Sequence, residues 1–262
     1  MAGRTFLGTL RLALLLAVLA FVALGAWLDW TRSRDWKTPL RVTVYPLPAA
    51  SATDVHRYVD ALQDSDFDAL ETFLAGESDR YNVPVEEPVR VRVSHAAKEP
   101  PPTLGERPGV LAVMLWSLKL RYYAARVAAN DPLPTPDIQV FATYAPMTES
   151  ARALPDSVGL SKGLVAVAHL YAGREAAGSN LVVLTHELLH TLGATDKYEP
   201  ATGQPSVPAG LGEPEREPPY PQDYGEIMAG RIAVGAREAV VPDSLDDMLV
   251  GSQTAREIGW IE

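Results

Sequence analysis

His186 and His190 stand four residues apart with Glu187 beside the first, in the run His186-Glu187-Leu188-Leu189-His190, and Gly193 and Asp196 follow at three-residue intervals. On a helix, positions i and i+4 share a face, and Glu187, about 100° round from His186, opens toward the same mouth. Both imidazoles can reach one cation with a carboxylate at hand, which is the spacing of an HExxH zinc site. This constrains the fold strongly: it calls for a helix with a polar trio on one side and a turn that brings the chain back to that side.

The surrounding residues extend the reading. Residues 180–192 carry Leu181, Val182, Val183, Leu184, Leu188, Leu189 and Leu192, apolar almost all the way round, so the spacing predicts a buried helix that Ser179 can cap. Two histidines and a glutamate inside it are costly unless a divalent metal and a water compensate them. Gly193 suits a left-handed position that ends the helix and turns the chain toward Asp196 as third ligand. Three protein ligands leave a fourth tetrahedral position open, the arrangement of catalytic rather than structural zinc. The sequence Thr195-Asp196-Lys197 also reads as a solvated turn, with Glu199 and Glu226 as substitute ligands.

Bulk properties narrow the partners. The chain has 262 residues, enough for one large or two small domains. A net charge of -10 with no concentrated basic face argues against a nucleic-acid partner. With no cysteine, disulfides, iron-sulfur clusters, thiolate zinc and lipoprotein acylation are excluded, so a transition metal must rely on His and carboxylate ligands. Nothing in the sequence sets the oligomeric state.

Residues 12–28 carry no charge and, with residues 6–10, approach the length that crosses a bilayer, Arg11 snorkelling; Trp27, Trp30 and Trp36 suit an interfacial belt. The alternative is a cleavable signal peptide, with Arg4 and Arg11 as charged start and Ala23-Leu24-Gly25 as cleavage site. The apolar run continues past that site to Leu28, which favours an uncleaved single-pass anchor within residues 1–37. Arg32, Arg34, Lys37 and Arg41 after the segment offset Arg4 and Arg11 before it, so charge alone does not set the topology. Both readings can deliver the domain outside the cytoplasm, which is the expectation.

Residues 38–262 form the expected soluble domain. Residues 40–47 read as a strand, 53–74 as helix with a break near 64–66, and 88–94 as a half-exposed strand with Val89, Val91 and Val93 on one side. A proline-rich linker over 99–108 leads into a long helix over 109–129, and strands follow at 138–144 and 163–171. The order implies an α+β domain with a mixed sheet whose last helix brings the catalytic groups. The 163–171 strand is a candidate sheet edge for an extended peptide. His169, His56 and His95 stay outside the site. Residues 200–221 hold seven prolines and an acidic run, a long loop placed to wall a cleft. Residues 244–258 read as a closing helix with Leu245, Met248, Leu249 and Ile258 inward.

This pattern resembles the metzincin branch of zinc metallopeptidases, in which HExxHxxGxx precedes a third ligand and a later methionine turn. The match lies mainly in residues 163–258, and Asp196 looks like the aspartate variant of snapalysin-type peptidases. The resemblance implies a zincin-like domain with an N-terminal subdomain to about residue 193 and a C-terminal subdomain over 194–262. It also implies Met228, in Ile227-Met228-Ala229, as the methionine turn. It implies Zn2+ held by His186, His190 and Asp196, and Glu187 as general base in hydrolysis of a protein or peptide substrate. Tyr198, Tyr220 and Tyr224 are candidate oxyanion stabilisers. The N-terminal half, with its extra long helix, departs from the small metzincins.

Three functions follow. The first is a membrane-anchored zinc endopeptidase; the second is a zinc amidase or cell-wall hydrolase with the same ligands; the third is a catalytically inactive zinc-binding interaction domain. Glu187 argues against the third, because a structural site needs no base there. The metal helix is too short for intramembrane proteolysis.

Overall fold

The computed structural model describes residues 31–105, 109–147, 158–160 and 164–262. The expected anchor over residues 6–28 lies outside them, and among the described residues no helix is long and apolar enough to cross a membrane.

Five strands build the main sheet: β1 (Leu40–Pro48), β2 (Val89–Val93), β3 (Ile138–Pro146), β4 (Val158–Leu160) and β5 (Val165–Ala172). Their order is β2-β1-β3-β5-β4, parallel throughout except for β4, which runs antiparallel to β5. The domain is therefore mixed α/β with a central parallel sheet, which matches the expected α+β class at the coarse level. Period-two alternation divides the apolar residues between the sheet's two faces. Val42 and Val44 of β1, Val140 and Ala142 of β3, and Ala166 and Ala168 of β5 enter one core. Tyr45 and Leu47, Phe141, and Val165 and Val167 enter a second. Since β5 lies between β3 and β4, the 163–171 segment is not an edge strand as expected. The edge on that side is β4, a three-residue strand that carries too little pattern to be read in advance.

Two helices, α1 (Thr53–Ala61) and α2 (Asp68–Arg80), cross from β1 to β2, joined by a 3-10 turn over Asp64–Phe67. The break has a cause in side-chain bonding. Asp66 accepts from the backbone of Gln63 at 2.8 Å, while Asp64 is drawn to the end of β2, accepting from the Val93 amide at 2.7 Å and from Arg92 at 2.6 Å. The third helix, α3 (Val110–Ala129), crosses from β2 over β1 to β3. The chain steps one way across the sheet from β1 to β2 and the other way from β2 to β3, so crossovers of one hand place their helices on opposite faces. Val55, Val59, Leu70 and Leu74 of α1 and α2 accordingly belong to the first core, and Trp116, Leu120 and Tyr123 of α3 to the second.

The histidine-bearing helix, α4 (Ala177–Thr191), packs on the first face, and its Leu184, Leu188 and Leu189 are fully buried. It starts three residues earlier than the sequence suggests. Asn180, expected near the start, lies a turn inside and bonds Tyr171 of β5 through both its oxygen (3.1 Å) and its nitrogen (2.8 Å). Ser179 is not its cap; the hydroxyl donates to the Pro242 carbonyl at 3.0 Å. Gly178 permits that contact, since a Cβ there would stand 1.9 Å from the Asp243 carbonyl oxygen.

Residues 194–262 add small pieces to the same core. β6 (Tyr198–Glu199) and β7 (Gln204–Pro205) form a hairpin, as do β9 (Ile232–Gly235) and β10 (Glu238–Val240), while β8 (Gly225–Glu226) pairs in parallel with β11 (Met248–Leu249). The closing helix expected over 244–258 is instead a 3-10 turn, β11 and a short helix α5 (Ser252–Glu257). Met248 and Leu249 leave helical geometry because their backbone pairs with Gly225 and Glu226. The acidic loop over 200–221 is ordered by the buried side chain of Gln222, which donates to the carbonyls of Glu213 (3.1 Å) and Pro219 (2.8 Å). Arg216 pairs with both Glu213 and Asp223 there.

Candidate metal centre

One turn of α4 separates the two imidazoles and brings them together on one face. The Nε2 atoms of His186 and His190 lie 2.9 Å apart, and Oδ1 of Asp196 lies 3.0 Å from the second and 3.2 Å from the first. Gly193 adopts φ +104°, the positive value expected of it, and the Ala194 amide closes back on the Leu189 carbonyl at 3.1 Å. That turn returns the chain so that Asp196 faces the histidines.

Hydrogen bonds on the far side of each ring fix which nitrogen faces inward. Nδ1 of His186 donates to the Ile227 carbonyl at 3.1 Å and Nδ1 of His190 to the Ala194 carbonyl at 2.8 Å. A neutral imidazole with its proton on Nδ1 presents a lone pair at Nε2. Two lone pairs and a carboxylate oxygen thus converge on one point, an arrangement that repels itself unless a positive charge sits between the three. Donors placed tetrahedrally about 2.1 Å from a zinc ion are separated by roughly 3.4 Å, close to the sides of this triangle. The donor set and its spacing fit a divalent cation, and the carbonyls supply the outer hydrogen bonds that orient ligating histidines.

Glu187 completes the group: His186, Glu187 and His190 offer ligand-type atoms all within 4.8 Å of one another. Its side chain is buried and Oε2 has no hydrogen-bond partner among the described residues. Burial raises its pKa above the ordinary carboxylate value, against the opposing pull of the two histidines. With protons on both Nε2 atoms instead, the histidines donate to Asp196 and hold it well below the usual range. For His190, burial works downward, but in that state the bonds to Asp196 and Ala194 prevail and raise it.

The residues either side of Asp196 are tied down. Thr195 donates to Glu257 of α5 through its amide (2.8 Å) and its hydroxyl (2.9 Å). The buried ammonium of Lys197 donates to the Thr195 carbonyl at 2.7 Å and to Glu257 at 2.8 Å, and its amide donates to the Met228 carbonyl at 2.9 Å. The 195–197 segment is therefore clamped rather than a free solvated turn.

Glu226, a substitute ligand in the sequence reading, cannot serve as one. It is fully buried, its Oε2 accepting from the amides of Met228 (2.6 Å) and Ala229 (3.0 Å) and its Oε1 from the Gly251 amide (3.1 Å) and the Thr254 hydroxyl (2.6 Å). It organises the 226–229 turn, which carries the carbonyl that orients His186. Glu199, the other substitute, is exposed on β6. Met228 is fully buried in the first core. Of the three tyrosines, Tyr198 stands beside the site, its ring centroid 6.5 Å from that of His186. Tyr224 is exposed, and among the described residues no hydrogen bond or ring contact joins it or Tyr220 to the histidines. His56 and His95 are exposed and His169 is half-buried on β5. The roles of Ile227, Ala194 and Glu226 were missed because the first two act through backbone atoms and the third through contacts up to 28 residues away.

No protein-family model matches this chain, and no curated protein matches it in sequence.

Proposed function

We propose that this chain is a zinc-dependent peptidase of metzincin type, tethered by residues 6–28, with its catalytic domain outside the cytoplasm. The observation that carries the reading is the convergence of two Nε2 lone pairs and one Asp196 oxygen on a point within reach of Glu187. His186, His190 and Asp196 would hold the ion, leaving one position open. When bound, zinc supplies Lewis acidity that brings the pKa of a water toward about 7 and polarises an amide carbonyl.

The chain's own residues do the rest. Glu187 accepts the proton of the attacking water and returns it to the leaving amine, and its unpartnered Oε2 is the atom free to do so. The two Nδ1 bonds, to the carbonyls of Ile227 and Ala194, keep the imidazoles in the ligating tautomer. Tyr198, half-buried beside His186, is the best placed of the three tyrosines to stabilise a developing oxyanion. The 226–229 turn, with Met228 in the core behind α4, takes the part of the methionine turn.

The test is cleavage of casein and a peptide library by the full-length chain and by Glu187→Gln. The variant should keep its zinc and lose roughly 10²–10⁴-fold in turnover, the range of a general base. Undiminished cleavage would rule out Glu187 as the base. A wild-type chain that binds zinc yet cleaves no peptide, or only cell-wall amides, would overturn the peptidase reading.

A further inference from the structure

The crossover helix α3 buries only one side. Trp116, Leu120, Tyr123, Ala124 and Val127 face the sheet, while Val110, Leu111, Met114, Leu115, Leu118 and Tyr122 are exposed. At 100° per residue these six fall within an arc of about 140°, opposite the buried side. Val110 is 80% and Leu118 62% exposed, values unusual for a contiguous row of large apolar side chains on a charged protein. The helix cannot roll to hide them. Trp116 donates to the Pro102 carbonyl at 2.8 Å and Tyr123 to the Glu99 carbonyl at 2.5 Å, locking the buried side to the proline-rich linker.

Charge on α3 points to one kind of partner. In a chain of net charge -10, α3 carries Lys119, Arg121 and Arg126 and no acidic residue, and of these Arg126 is paired with Glu99 of the linker at 2.9 Å. Lys119 is exposed at the border of the apolar arc. Apolar side chains with lysine and arginine alongside are what an anionic bilayer surface receives, apolar groups entering the acyl boundary and cations meeting lipid phosphates. A second observation agrees. The uncharged run over residues 12–28 joins the domain just before Arg32, and Arg32 pairs with Asp137 at 3.2 Å, at the end of the sheet to which α3 delivers the chain.

We infer that the exposed face of α3 lies on an anionic lipid surface, holding the domain flat beside its tether. The contact is interfacial rather than spanning, since the opposite side of the helix is the wall of a protein core. Seated this way, the sheet stands between the bilayer and α4. The inference does not depend on what the centre catalyses.

The chain has no cysteine, so single spin labels can be placed at Leu115→Cys and Leu118→Cys, with Asp54→Cys on α1 as a control on the other face. The full-length chain is reconstituted in phosphatidylcholine vesicles containing phosphatidylglycerol, and collision with oxygen and with a water-soluble nickel chelate is measured. Labels at 115 and 118 should show nickel access about tenfold below the control and oxygen access above it, and Lys119→Glu should weaken the effect. Nickel access equal to the control overturns the proposal. Loss of access to both reagents also overturns it, because protein rather than lipid then covers the face, whether residues 1–30 or a second copy. The readout is independent of peptidase activity, so either idea can fail alone.

Discussion

Nδ1 of His186 donates to the carbonyl oxygen of Ile227 at 3.1 Å, across 41 residues of chain. That carbonyl lies in a turn whose amides, at Met228 and Ala229, converge on the carboxylate of Glu226. The first histidine of the candidate metal centre is thus oriented by a loop, and the loop by a buried acid.

Glu226→Gln should therefore change metal binding without touching a ligand. Replacing one oxygen by an amide sets N–H groups against N–H groups, and each buried donor left unpaired costs about 1–3 kcal/mol. The variant should melt at lower temperature and hold zinc roughly 10–100-fold more weakly, the usual effect of losing an outer orienting contact, with stoichiometry unchanged. Lowered melting with unaltered zinc affinity in competition titrations would leave Glu226 a purely structural residue.

Asp196→Ala separates the third ligand from the fold. The side chain is 43% exposed and outside the core, so the metal-free variant should still fold, with an unchanged circular-dichroism spectrum. Wild-type protein should carry one zinc per chain by elemental analysis, His186→Ala none, and Asp196→Ala should lose its zinc to a mild chelator that leaves the wild type loaded. Equal retention would remove Asp196 from the ligand set.

A third prediction concerns acid. Burial acts to raise the Asp137 carboxyl, but the Arg41 side chain and amide, both donating at 3.0 Å, and the charge of Arg32 prevail, holding it below its ordinary value of 3.8. A carboxylate lowered in the folded state binds fewer protons there than in the unfolded chain. Its stabilisation is complete above that ordinary value and disappears as pH falls through the lowered one. Asp137→Asn should cost on the order of 1–2 kcal/mol at neutral pH, discounted for the half-exposed Arg41, and should flatten the acid limb of urea-unfolding midpoints. An acid limb as steep as the wild type's would show that other groups set it.

Much of this molecule was readable where one local pattern governs. The histidine-bearing helix, the positive φ of Gly193, the alternation in β2 and the long α3 follow from spacing or from residues a few positions away. What escaped depends on distant partners. Met248 and Leu249 suit a helix, yet they pair with Gly225 and Glu226, so the closing helix shortens to Ser252–Glu257. β5 looked like an edge until three residues, Val158–Leu160, paired with it. Glu226 read as a spare acidic ligand because four donors from two separate segments are invisible in a linear chain.

Both imidazoles lean on peptide carbonyls, at Ile227 and Ala194, rather than on carboxylate side chains. A carbonyl is common to every residue type, so replacing either side chain leaves the oxygen in place as long as its turn keeps its course. The outer support of this centre is consequently inherited with the path of the backbone, and mutational drift at positions 194 and 227 acts on it only through packing.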